Sequence, residues 1–303
     1  MSQDEGQENI ARLIESIEED ELRRWVEVFS GLRHGRHNQV ALEKKGELLE
    51  RHLRESGFLV SRDHFRCRGE GDHNIVVTLP GKDLTLTPYL VGAHYDAFPD
   101  SFGADDNASG VAALLAAARA LSRIQPERTV RFVGFNLEEP QDTRDSRCRH
   151  GSRHFARKAF FRWDRYEGVV ILESVGYTDS RPGSQKIPGR LPIRVPDVGD
   201  FLGVVGNRRS RRIMDHFGGA ARTYVQDLRV ISHWFPLAGR LLPMTRMSDH
   251  APFWDYAYPA VMLTDTALLR NPNYHQPTDT PDTLDYTFLA NVTRALVAAL
   301  VLG

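Results

Sequence analysis

Four residues in one short stretch have the types and spacing to do chemistry together. His94, Asp96, Asp105 and Asp106 stand between the apolar run LVGA and the Ala/Leu-rich segment GVAALLAAARAL. A histidine and three carboxylates beside a buried strand repel and dehydrate one another unless something positive sits among them. A metal ion is the economical candidate, and other apolar runs end in matching donors. Glu138 and Glu139 follow VRFVGF, Glu173 closes VVIL, and His275 lies in the loop after AVMLTD. A set of two histidines and three carboxylates suits Zn²⁺ and accepts Co²⁺ or Mn²⁺. Five ligands with one bridging carboxylate would serve two ions about 3.5–4 Å apart. Asp96, just past His94, is placed to take that imidazole's other N–H and fix its tautomer.

Open α/β sheets gather ligands at the carboxyl ends of their strands, so these donors call for strands beneath them. The periodicity provides them. FLVSRDHF, NIVVTLPG, LTPYLVGAHYD, RTVRFVGFN, GVVILESVGY, GDFLGVVGN, LRVISHW and AYPAVMLTDT read as strands. LVGA is apolar without alternation, which predicts burial on both faces. Between the strands lie helical patterns at 110–122, GSRHFARKAF and RSRRIMDHFGG, with LDYTFLANVTRALVAALVL closing the chain. Apolar steps of three and four over 8–30 predict one amphipathic helix or a pair, and a further helix runs over 39–56 to Gly57. QDTRDSRCRH and RPGSQKIPGRLPIRVPD read as loops. Strands alternating with helices argue for an α/β layer fold with helices on both faces of the sheet.

The bulk numbers exclude other classes. The chain has 303 residues and a formal charge of −1, with 39 Lys+Arg against 40 Asp+Glu. No basic excess points to nucleic acid. Cys67 and Cys148 are far apart and form no C-x-x-C pair, so they are expected as thiols rather than as a zinc-thiolate site or a bridge. The acidic N-terminus has no signal-peptide pattern. No apolar run reaches the ~20 residues of a membrane span. A soluble, cytoplasmic protein is expected, with no membrane partner.

GAHYDAF…GADDNASGVAALL, NLEEP, ILESVGY and NPNYHQPTDTPDTLDY, in that order, resemble the motifs of the M28 family of zinc peptidases, which includes many aminopeptidases. The resemblance implies a three-layer α/β/α sandwich with a central mixed, mostly parallel sheet. It implies a single peptidase domain over 1–303, with the helical segment 1–56 packed on it. It makes His94 and Glu173 ligands of one zinc, Glu139 and His275 ligands of the other, and Asp105 the bridge. Glu138 would be the general base, acting on a water whose pKa the two ions lower, and Tyr274 would stabilise the oxyanion. The implied activity is removal of N-terminal residues from a peptide substrate. The sequence departs from the family pattern at Glu173, where many relatives have aspartate, and in the longer, more charged PQDTRDSRCRHGS after Glu139.

Plainer readings compete at several positions. Asp106 reads as an anion or hydrogen-bonding residue at a helix N-terminus rather than a ligand. Arg33, His34, Arg36 and His37 read as a solvated face. Ser248, Asp249 and His250 are adjacent, so they cannot form a triad with one another, and the segment is expected to line the substrate cleft. Phe253 and Trp254 read as core, with pocket wall as the alternative. Two rival functions remain: a glutaminyl-cyclase-like acyltransferase using one zinc, and a non-catalytic binding module on the same scaffold. Metal content separates the first from the peptidase, and turnover across a peptide library separates the second.

Overall fold

Eight strands form one sheet in the order β1-β2-β4-β3-β5-β8-β6-β7. In the computed structural model, residues 3–67, 69–142, 148–187 and 195–303 are described. The strands are β1 (Ser61–Cys67), β2 (Glu70–Leu79), β3 (Tyr89–His94), β4 (Val130–Phe135), β5 (Gly168–Leu172), β6 (Leu202–Asn207), β7 (Val230–Phe235) and β8 (Ala260–Thr264). Their neighbours β4, β3, β5 and β8 run parallel, as do β6 and β7; β1–β2, β2–β4 and β6–β8 pair antiparallel. The sheet is thus mixed and mostly parallel, as expected. Parts of the two expected loops, 143–147 and 188–194, lie outside the described residues.

The helices are α1 (Gln3–Glu15), α2 (Glu19–Phe29), α3 (Gln39–Glu55), α4 (Gly110–Ser122), α5 (His150–Phe161), α6 (Arg211–Tyr224), α7 (His250–Asp255) and α8 (Tyr286–Leu302). Alternate residues of the central strands feed two cores, because successive side chains on a strand point to opposite faces. Val91, Val170 and Leu172 pack with residues of α1 to α4, α6 and α8. Leu90, Val169 and Ile171 pack with Phe155 of α5 and Phe253 and Trp254 of α7. This makes three layers. Phe253 and Trp254 are core, and the Trp254 indole N–H donates to Ala260 O at 2.8 Å.

The turn between α2 and α3 corrects one expectation. Arg33 is 1% exposed and His34 is 0% exposed, so half of the cation cluster is interior rather than a solvated face. The reason is hydrogen bonding: the Arg33 guanidinium finds four backbone carbonyls and the His34 ring finds one. No disulfide joins Cys67 and Cys148. No helix among the described residues is long and apolar enough to cross a membrane.

Candidate metal centre

The four parallel central strands open their carboxyl ends on one edge, and each delivers a donor there. His94 ends β3, in register with Phe135 at the end of β4. Glu138 and Glu139 follow β4. Glu173 follows β5, its N–H bonded to Leu263 O of β8 at 3.0 Å. His275 arrives on the loop that leaves β8.

The side chains meet in two groups that share Asp106. His94 Nε2 lies 3.2 Å from Asp106 Oδ1 and 3.4 Å from Glu173 Oε2. His275 Nε2 lies 3.1 Å from Asp106 Oδ2 and 3.4 Å from Glu139 Oε1. Each oxygen of Asp106 therefore faces one group. Ligand atoms on a tetrahedral ion with bonds of about 2.0 Å stand about 3.3 Å apart, close to these separations. Asp106 Oδ1, Glu139 Oε1 and His275 Nε2 are buried without a hydrogen-bond partner, which a cation would supply. The nitrogen and oxygen donors are of the types that suit a zinc-like ion.

Asp105, expected as the bridge, turns away from both groups, and this corrects that expectation. Its Oδ1 accepts from Gly176 N at 3.0 Å and its Oδ2 from Asn271 Nδ2 at 2.8 Å. The backbone explains the exchange. The chain leaves helical geometry at Asp106 (φ −107°, ψ 87°) and Asn107 (φ −138°, ψ 41°), so the two neighbouring carboxylates diverge. Asp279 holds the turn by accepting from Asp105 N at 2.9 Å and Asp106 N at 3.1 Å. Asn107 ties it to β5, donating to Leu172 O at 2.9 Å and accepting from Ser174 N at 3.1 Å. The reading of Asp106 as a helix-terminal anion falls with the same geometry.

Asp96 braces two loops at once. Its oxygens accept the N–H groups of Glu138 at 3.1 Å and Glu139 at 3.0 Å, and Oδ1 lies 3.3 Å from His94 Nδ1. Ser248 Oγ donates to Glu173 Oε2 at 2.5 Å. Phe98 and Tyr274 both stack on the His275 ring, at 3.8 Å and 3.9 Å between centroids. The Glu138 carboxylate faces Arg149, with Oε1 3.6 Å from Nη1. His250 is apart from this chemistry: its Nε2 bonds Thr245 O at 2.8 Å, and burial pushes its pKa down to about 3.

The centre holds more negative charge than its burial tolerates. Burial raises Glu139 to about 7 and Asp249 to about 7, and drives Glu138 well above the carboxylate range. Burial disfavours a charged His275, but the facing Asp106 and Glu139 carboxylates outweigh that and lift it to about 10. Burial by itself would raise Asp106, yet His275 and His94 hold it below its ordinary value. These protons stand where a cation would do the same neutralising work.

Tyr274 and Glu173 line one wall of a cavity of about 950 Å³, counted with its open mouth. The rest of its lining is mostly apolar, including Phe201, Ile231, Phe235, Met244, Met247 and Met262, with Lys186 and His233 also present. The geometry thus brings together His94, Glu139, Glu173, His275 and Asp106 and leaves out Asp105. Sequence reasoning passed over Asp279, because nothing local separates it from the exposed Asp282 in the same turn-rich segment. It also passed over Ser248 as a partner of Glu173, since only the fold brings β5 and α7 together.

A family model described as "Peptidase family M28" matches residues 74–300. The Uncharacterized protein YfbL of Escherichia coli (strain K12) is 35% identical over 269 residues, covering 86% of this chain and 80% of that protein. Among solved structures, the Legionella pneumophila LapA aminopeptidase superposes with a TM-score of 0.75 at 17% identity, over 97% of this chain and 74% of that one. The Bacteroides thetaiotaomicron glutaminyl cyclase bound to N-acetylhistamine gives 0.69 at 18% identity, over 94% and 98%. At those identities the structures establish a shared fold.

Proposed function

The chain belongs to peptidase family M28 and is a metallopeptidase, and from that premise we propose that it is an aminopeptidase working with two zinc ions. The observation that carries this reading is Asp106, which presents one oxygen to each donor group. His94 and Glu173 would hold one ion and Glu139 and His275 the other. When bound, such a pair lowers the pKa of a water and polarises the scissile carbonyl.

The chain's own groups divide the remaining work. Glu138 takes a proton from the attacking water and returns it to the leaving amine. Arg149, beside it, limits how far the carboxylate can swing. Asp96 sets the His94 ring and the backbone of both glutamates, so the base and two ligands share one support. Tyr274 donates its hydroxyl hydrogen to the oxyanion; burial first, then the nearby carboxylates, keep that phenol protonated.

The test is metal analysis of the purified chain joined to hydrolysis of aminoacyl substrates. Two zinc equivalents are expected. Glu138→Gln should lower kcat by about 10²–10⁴-fold with zinc content unchanged. Wild-type turnover in that variant would overturn the role of Glu138. The likeness to a glutaminyl cyclase fold supports a second reading, acyl transfer on one zinc. One equivalent of zinc together with pyroglutamate formation would put that reading in place of the first.

A further inference from the structure

The turn 31–37 lies outside the stretch that the family model matches, 74–300, yet it is built into the walls of the centre. Arg33 Nε donates to Tyr95 O at 2.9 Å, Nη1 to Phe102 O at 2.8 Å and Gly31 O at 3.0 Å, and Nη2 to Gly103 O at 2.7 Å. The backbone adds Gly31 N to Phe102 O at 2.8 Å and Ala97 N to Arg33 O at 3.3 Å. A buried guanidinium is costly unless its donors are used and opposite charge is near. Both conditions hold, since Asp96, Asp279, Asp106 and Glu139 supply the charge.

His34 grips the other loop. Its Nδ1 accepts from Arg36 N at 3.2 Å and His37 N at 3.3 Å, so Nε2 bears the hydrogen and donates to Pro140 O at 3.0 Å. Gly35 permits the close approach: a Cβ there would stand 2.3 Å from Leu137 Cδ2 and 2.4 Å from Gln141 Oε1.

These contacts reach donors of both groups at one remove: Tyr95, whose carbonyl accepts from Arg33, directly follows His94, and Asp106 belongs to both groups. Loop 95–103 bears Phe98, which stacks on His275, and runs through Gly103 towards Asp106. Pro140 directly follows Glu139. Glu173, in the other group, is held by Ser248 and by the β5–β8 ladder, and the turn touches neither.

We propose that residues 31–37 form a clip on the centre, with His34 as a positioning residue for the Glu139 side, which it reaches through Pro140, and Arg33 as a positioning residue for loop 95–103, which adjoins both groups. The inference rests on the two-ion reading above. It is tested on the full chain by zinc titration and by amide hydrogen exchange of the metal-free protein, comparing wild type with Arg33→Met, His34→Ala and Gly35→Val. In His34→Ala one zinc equivalent should keep its affinity and the other should weaken at least about tenfold, as when partners behind metal ligands are removed, whereas Arg33→Met should weaken both. His34→Gln, which restores a donor near Nε2, should recover most of the loss. Exchange should quicken across 96–106 and 137–141 and stay unchanged over 169–173.

Equal weakening of both equivalents in His34→Ala, or unchanged binding in either variant, would overturn the clip. Should Arg33→Met fail to fold, His34→Ala, which removes a single bond to the loop, decides the matter. A wild-type chain that takes one equivalent would instead sink the two-ion reading. In that case the exchange pattern judges the clip alone: localised quickening keeps it, and uniform or absent change removes it.

Discussion

Two adjacent aspartates do opposite jobs. Asp106 faces two histidines, whereas Asp105 serves Gly176 and Asn271 and lies against Asp265. Burial first, and Asp265 second, drive the Asp105 carboxyl well above its ordinary range. An asparagine at this position keeps one carbonyl acceptor for Gly176 N or the Asn271 amide and lies outside both donor groups. Asp105→Asn should therefore keep both zinc equivalents and most of the activity. Asp106→Asn should lose both, since one carboxylate faces both groups. Zinc analysis of the two purified variants checks this, and the reverse pattern would restore Asp105 as the bridge. From the sequence, the pair was legible as the right pair. Which member bridges was not, because backbone dihedrals at Asp106 and Asn107 set the two directions.

At the scale of elements, the parallel strands supply the centre and the far side of the sheet supplies its neighbour cavity. β6 pairs antiparallel with β8, and β7 extends the sheet beyond it. Phe201, Ile231, Phe235 and Met262, with Met244 and Met247 from the segment after β7, make the walls mostly apolar next to Glu173 and Tyr274. Burying a large apolar side chain is worth about 1.5–3 kcal/mol, or roughly 10- to 100-fold in kcat/KM. Substrates with N-terminal Leu, Met or Phe should therefore outrun those with Asp or Glu by about that factor. Ile231→Glu should shrink the preference with zinc content unchanged. A chain that prefers acidic N-termini would place the substrate side chain elsewhere. The strands that build this cavity were readable as strands, but their order in the sheet was not, since periodicity reports a face and not a neighbour.

For the whole molecule, the cost of assembling the centre appears in its dependence on pH. In the metal-free fold, burial raises Glu139, Asp249 and Asp279 to about 7 and Asp265 to about 6. An acid whose folded pKa lies above its unfolded value stabilises the fold below the unfolded pKa and loses that contribution as pH rises through the folded one. These acids therefore withdraw stability between about pH 4 and 7. His275, raised to about 10, withdraws its share between its ordinary value and about 10. Chelated protein should melt several degrees lower at pH 8 than at pH 5.5, and zinc should remove most of the difference. A metal-free melting point that rises over that range would contradict the electrostatic account.

The sequence by itself determined which chemistry is present. Apolar runs ending in His94, Glu139 and Glu173 specified strands with donors at their tips, because a period-two or wholly apolar pattern survives any packing. The helices over 8–30, 39–56 and 110–122 were legible for the same reason. Tertiary structure alone decided that Asp106 faces both donor groups, that Asp279 holds its backbone from 173 residues away, and that Arg33 is interior. Each of those outcomes depends on a partner distant in the chain. A buried carboxylate or guanidinium is defined by what it touches, and local pattern does not say what that is.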